Sequence, residues 1–398
     1  MLSARHYSAL LSPSLVALSA SCPSVIDNAP FDRVRAPART LEERSPDVAP
    51  AEILKTPSVE GGERNPCVGW SNLDPCTPRE PKSSISTEAV RGKDDRVSIE
   101  CLADKPGPAG VLYAAHRSIP AIVKGQHITK SKDGSFYSPL IKPLSDSSRG
   151  ETFCADEIFV NEPGAVHCGA ALIDRNTEHR NRLTILTAKH CVPSPQALQG
   201  LLVVFDFKVK GQAPKTVQRI EAKSVCRPLD EDENYHEFGK LAVFDIMCPK
   251  EFEEPSPLRI APQEHEIKAD MKVIAAGYPY HLPLKSAGVK TINECEKNGK
   301  EGRYCTAEFD FFPGNSGTPV LNENAEIVGV VEADGSRLNC FDSEKKCYRW
   351  GRCAERCGQL VEIYPASAVR AEMDSRKTRE REDDNGTRYS GKTNSDHG

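Results

Sequence analysis

Short runs of β-branched and aliphatic residues recur along the chain from about residue 151, each separated from the next by a turn-rich loop. The runs are Ala170–Ile173, Arg182–Thr187, Leu201–Phe207, Lys240–Ile246, Met271–Ala276, Gly317–Leu321 and Glu326–Val331. No stretch of helical period and comparable strength lies between them. Many short strands with little helix predict an all-β barrel or sandwich, not alternating strand–helix units. Upstream, Gly110–Ala115 is apolar and Ile119–Val123 predicts another strand. The pattern leaves residues 96–150 open between a small subdomain, a propeptide and an extension of the following domain. Residues 23 to about 95 are rich in Pro, Ser and charge, and residues 371–398 are charged and almost without apolar groups. Such segments bury too little surface to offset ordering entropy, so both predict disorder. The chain thus reads as a leader or propeptide-like region over 23–150, a domain over 151–370 and a tail.

Composition narrows the classes. A net charge of -5 without a long basic run argues against a nucleic-acid or anionic-membrane partner. No run of 18 apolar residues is present, which excludes a spanning helix. The 15 cysteines point to an oxidising compartment, because cytosolic thiols are kept reduced. Residues 1–22 agree with export: Arg5 is basic, Ala9–Ala20 is mostly apolar though broken by Pro13, and Ser19, Ala20 and Ser21 precede Cys22. The expected location is secreted or periplasmic, with lipidation at Cys22 as the lesser alternative because Ser19 stands where a Leu-like residue belongs. A zinc-stabilised domain is a further alternative. However, the chain has no CxxC pair, and Cys353 and Cys357 are its tightest spacing, so no metal and no cofactor are expected.

Two motifs carry chemistry. In the first, Leu186-Thr-Ala-Lys-His190-Cys191, a strand runs into a histidine flanked by a cysteine, with Cys168 23 residues upstream. A general base must be held within hydrogen-bond reach of the proton it removes, and such clamping serves that end. In the second, Phe311-Phe-Pro-Gly314-Asn-Ser316-Gly-Thr-Pro-Val320, a serine sits between glycines just ahead of a strand. That turn presents the hydroxyl and frees the backbone N–H groups of Gly314 and Ser316 for an oxyanion hole.

The two motifs, in this order, resemble those of chymotrypsin-like serine peptidases. The resemblance spans about residues 150–368. It implies two antiparallel six-stranded-type β-barrels with the site in the cleft between them, a Cys168–Cys191 bridge, and a polypeptide substrate. His190 would be the base and Ser316 the nucleophile, needing no cofactor. Gly314–Val320 looks more like the secreted bacterial branch that includes glutamyl endopeptidases than like animal trypsins, as do Phe159–Pro163, Gly277–Lys285 and Cys347–Cys357. Asn315 stands where trypsins carry the aspartate that receives the new N-terminus.

One position departs from the pattern. The strand that should open on the third triad member reads Lys240–Ile246, placing Lys240 where the aspartate belongs. Asp245 lies five residues on, and strand alternation turns it to the opposite face. Asp230, Glu231, Asp232, Glu233 and Glu237 precede the strand and could supply a substitute. The competing reading is an inactive pseudo-peptidase that binds a protein partner through the same cleft. Glu332 and Asp334 follow the strand that borders the substrate pocket in this family and are candidates for selecting a basic side chain. His281 reads as a loop residue. Spacing suggests Cys295–Cys305 and Cys226–Cys248, and leaves three connectivities among Cys340, Cys347, Cys353 and Cys357.

Overall fold

The computed structural model describes residues 90–91 and 96–374, with breaks at 176–178, 180, 210–218, 230–231, 299–301, 334–338, 343–344, 351, 354–359 and 371–372. The export segment, residues 23–89 and 92–95 of the leader, and the tail from 375 lie outside the described residues. Asp334 lies outside them as well.

The chain enters through strand β1 (Val97–Ser98) and helix α1 (Pro108–Ala115). Strands β2 (Ala121–Lys124), β3 (Val166–Gly169), β4 (Ala171–Arg175), β5 (Arg182–Ala188), β6 (Leu201–Val204), β7 (Val225–Pro228), β8 (Tyr235–Phe238) and β9 (Leu241–Met247) form the first sheet. Their order is β3-β2-β6-β7-β9-β5-β4, with β8 paired to β9. Every pairing is antiparallel and the sheet curls as a half-barrel. Its longest ladder joins β5 to β9, from Leu241 opposite Ala188 to Met247 opposite Arg182. These two strands are buried along nearly their whole length because β-branched and aliphatic side chains fill both faces. One face packs Leu183, Ile185, Phe244 and Ile246 into the interior of the first sheet.

The second sheet comprises β10 (Lys272–Gly277), β11 (Lys285–Asn298), β12 (Gly302–Ala307), β13 (Pro319–Leu321), β14 (Ile327–Ala333) and β15 (Val361–Pro365). The order β10-β13-β14-β15-β12-β11 closes through a β10–β11 pairing, giving a six-stranded antiparallel barrel. Closure gives each strand two neighbours in the barrel and leaves one side of each strand for a core containing Val273, Ala275, Phe309, Val320 and Val331. The all-β, two-barrel expectation therefore holds, with one barrel closed and the other curled. Among the described residues no helix is long and apolar enough to cross a membrane.

The stretch 96–150 is woven into both sheets. β2 lies between β3 and β6, and β1 adds to the edge of β11. Gly110–Ala115 falls in α1, whose Leu112 and Ala115 are buried. The Leu201–Phe207 run ends as a strand at Val204 because Asp206 takes φ 55, a left-handed conformation that stops an extended strand.

Four disulfides lie among the described residues: Cys154–Cys347, Cys168–Cys191, Cys226–Cys248 and Cys295–Cys305. The last three match the expected pairs. Cys347 corrects the sequence reading, since its bond to Cys154 removes all three connectivities that would pair Cys340, Cys347, Cys353 and Cys357 among themselves. The bridge spans 193 positions, and reciprocal backbone bonds bring the two segments together, from Cys154 N to Tyr348 O (2.8 Å) and from Tyr348 N to Thr152 O (2.8 Å).

Candidate active site

Strand β5 ends at Ala188, and the chain turns through one 3₁₀ turn, Lys189–Cys191, which carries His190. Cys191 is bonded to Cys168 of β3, so the turn is covalently anchored to the sheet. Lys189 N donates to Lys240 O at 2.7 Å, which ties the turn to the start of β9. Two sides of the His190 turn are thus fixed, while the imidazole itself remains 47% exposed.

Ser316 sits on a turn that both sheets hold. From the first, Gly169 N donates to Ser316 O at 2.8 Å, and Thr187 Oγ1 donates to Gly169 O at 2.8 Å. From the second, Gly317 N donates to Val331 O at 2.7 Å. Gly314 has φ 102 and Gly317 has φ 83, conformations that glycine adopts without strain. Asn315 is fully buried, its Nδ2 donating to Phe312 O at 3.0 Å. Asn315 therefore anchors the turn through a neutral hydrogen bond. Neither Gly314 N nor Ser316 N donates a hydrogen bond among the described residues, which leaves both amides free beside the serine hydroxyl.

Beneath the turn, Phe312 packs with Trp350 and Tyr280, and the Arg96 guanidinium lies 4.5 Å from the Phe312 ring and 4.6 Å from that of Trp350. Nearby, Lys285 and Glu162 form a fully buried pair at 2.6 Å, and Ser98 accepts a further bond from Lys285 Nζ at 3.3 Å. The N-terminal stretch thus packs under the serine turn.

His190 and Ser316 are not hydrogen-bonded to each other among the described residues; both face Glu332. His190 Nδ1 is 3.1 Å from Glu332 Oε2, and Ser316 Oγ donates a long bond of 3.5 Å to the Glu332 carbonyl. Glu332, a candidate for the substrate pocket, turns its carboxylate toward the imidazole. Of the other candidate carboxylates, Asp245 and Glu237 are engaged elsewhere. Asp245 accepts from Arg182 Nη2 at 2.7 Å, Arg182 Nε at 3.0 Å and Thr184 Oγ1 at 2.8 Å, four ladder positions from the His190 end of β5. Glu237 is paired with Lys189 and accepts from Tyr235 Oη at 3.1 Å. Glu233 is exposed, Asp230 and Glu231 lie outside the described residues, and the Asp232 side chain is likewise outside them.

Three further histidines border this edge. His127 Nδ1 lies 3.1 Å from Ala165 O, and His281 Nδ1 bonds Val166 O. Burial pushes the His281 imidazole below its ordinary value, against the opposing pull of that carbonyl. Burial, reinforced by Lys124 and the neighbouring histidines, holds His167 down to about 4. His281 and Tyr280 both adopt left-handed backbone, with φ 71 and φ 50. Cys168, His190 and Cys191 bring potential ligand atoms within 4.8 Å of one another, but the two sulfurs are joined and offer no thiolate to a metal.

No curated protein is significantly similar to the chain. Among solved structures, an HtrA-type protease with a decapeptide is 13% identical, covers 67% of this chain and has a TM-score of 0.37. This chain spans 65% of that protein's length. The inactive form of the Rv3671c protease (from M. tuberculosis) is 15% identical, covering 68% of this chain and 96% of its own, with a TM-score of 0.35. Deg5 is 11% identical, covering 65% of this chain and 88% of its own, with a TM-score of 0.36. These likenesses are distant. The firmer match is local: residues 170–330, which contain both His190 and Ser316, fit the family model of a trypsin-like peptidase domain.

Proposed function

We propose that this chain is a serine endopeptidase that cleaves polypeptides through an acyl-enzyme. Ser316 Oγ attacks the peptide carbonyl while His190 Nε2 takes its proton. The N–H groups of Gly314 and Ser316 receive the oxyanion, a contribution of about 3–4 kcal/mol per donor in such sites. The imidazolium then gives its proton to the leaving amine, and water releases the acid by the same steps reversed. To begin, the Ser316 hydroxyl must leave the Glu332 carbonyl and turn to the imidazole.

The observation that carries this reading is the placement of His190 and Ser316, from different sheets, against one residue, Glu332. The match over residues 170–330 supports the same conclusion. The buried neutral Asn315 supports a site that forms without a buried N-terminal amine, in line with the secreted bacterial branch. The four disulfides support an exported location, where thiols are oxidised. Hydrolysis of a reduced, carboxymethylated protein tests the proposal. The folded chain should release new amino termini, and Ser316→Ala should release none above the uncatalysed level. A wild-type protein that binds the unfolded chain but leaves it intact would favour the pseudo-peptidase instead.

A further inference from the structure

The family pattern places an aspartate at position 240, and this chain has lysine there. Among the described residues the carboxylate that meets His190 comes from elsewhere in the fold. Glu332 lies on β14, in the second barrel and 16 residues after the serine, whereas His190 lies on the turn that follows β5 of the first sheet. Its aim has a local cause. Val331 pairs with Ile363 and Ala333 pairs with Glu362, so Glu332 is an extra residue in the ladder, a bulge. Bulges redirect a side chain out of the regular alternation and are frequent beside active sites.

Burial makes the contact consequential. The Glu332 side chain is only 10% exposed, and its Oε2 accepts no hydrogen bond among the described residues, yet that oxygen lies 3.1 Å from His190 Nδ1. A buried carboxylate oxygen without a donor is destabilising until a positive charge or N–H faces it. Three other basic groups lie on the neighbouring strands and turn. Lys189 is paired with Glu237, Lys240 sits at the turn into β9, and His167 is half-buried in β3.

We propose that Glu332 is the positioning carboxylate of His190, replacing from the second barrel the aspartate that β9 lacks. This rests on the serine-peptidase reading. Glu332 fixes the tautomer with hydrogen on Nδ1, leaves Nε2 as the base toward Ser316, and stabilises the imidazolium once the proton is taken. Because β14 also supplies the Val331 carbonyl that holds Gly317, one strand sets both the base and the nucleophile turn.

The test uses the isosteric variant Glu332→Gln in the full chain, with Glu237→Gln as a neighbouring control. Imidazole ¹⁵N shifts of His190 report the tautomer directly. Wild type should show the Nδ1–H form, Glu332→Gln should lose it, and Glu237→Gln should keep it. Reaction with a fluorophosphonate should slow by about 10²- to 10⁴-fold in Glu332→Gln. Lys240→Asp, added to Glu332→Gln, should recover at least tenfold of that loss, because it restores a carboxylate at the position opposite Lys189. If Glu332→Gln folds poorly, Glu332→Asp serves, with an intermediate rate and the Nδ1–H form retained. An unchanged tautomer in folded Glu332→Gln overturns the proposal, whatever the rate. Loss of the Nδ1–H form in a protein whose wild-type Ser316 never reacts would keep the Glu332–His190 pair and sink the peptidase reading.

Discussion

Replacing Gly317 with alanine probes how the two sheets hold the serine turn. A Cβ at this position would meet Thr187 Oγ1 at 2.1 Å and Gly169 O at 2.2 Å, each more than 1 Å short of the 3.4 Å at which ordinary contact begins. One of those atoms is backbone of β3, which pairs with β2 and accepts the Thr187 hydroxyl, so it cannot simply swing away. The left-handed φ of 83 adds about 1–2 kcal/mol for a residue with a Cβ. Overpacking at a tight contact adds about 1–3 kcal/mol. The expected loss is therefore about 2–5 kcal/mol, read from chemical denaturation with both domain faces intact. The serine would also be displaced, because Gly169 N holds its carbonyl. A shift of about 1 Å in a reacting group costs on the order of 10²-fold in rate. Thr187→Ala removes the first clash but not the second, so the double variant should recover only part of both losses. Wild-type stability together with a wild-type rate of fluorophosphonate labelling in Gly317→Ala would refute the account of the turn.

Other outcomes follow from the same geometry. Replacing Cys168 and Cys191 by serine opens a bridge spanning 23 positions and should lower stability by about 3 kcal/mol, measured by urea denaturation under identical buffer conditions. Lys285→Met strands the Glu162 carboxylate in the interior and should cost about 3–5 kcal/mol, whereas Lys285→Met with Glu162→Leu should recover most of it; equal losses in the two variants would contradict the buried-pair account. The His167 imidazole, held down to about 4 by burial, takes up a proton less readily folded than unfolded. Stability should therefore decline as pH falls from about 6.5 toward 4, and His167→Gln should flatten that decline in thermal scans.

Much of the fold was legible because the long central strands announce themselves. β5 and β9 are rich in Leu, Ile, Val, Ala and Phe and buried on both faces, and that composition reads as a core strand whatever its partner. Cys226–Cys248 and Cys295–Cys305 were readable because their halves are only 22 and 10 positions apart. Cys154–Cys347 was not, since 193 residues separate its halves and only the assembled sheets bring them together. The role of residues 96–150 was hidden likewise, because β2 is four residues long and its place between β3 and β6 is a property of topology. At the site, His190 and Ser316 stand in recognisable local settings. Glu332 carries no such signature. The run Val330-Val331-Glu332 reads as a strand ending in solvent, and only the bulge opposite Ile363 and Glu362 shows that the acid turns inward toward another barrel. Lys240 signalled that a carboxylate was missing, and nothing in the linear order said which would replace it.

The central claim, that Ser316 is an activated nucleophile, is tested most directly by intact-mass analysis after incubation with diisopropyl fluorophosphate. The account predicts one covalent adduct, mapped by peptide sequencing to Ser316, and its disappearance in a folded His190→Ala variant. A folded wild-type protein that remains unmodified, or carries its adduct on another residue, would contradict it.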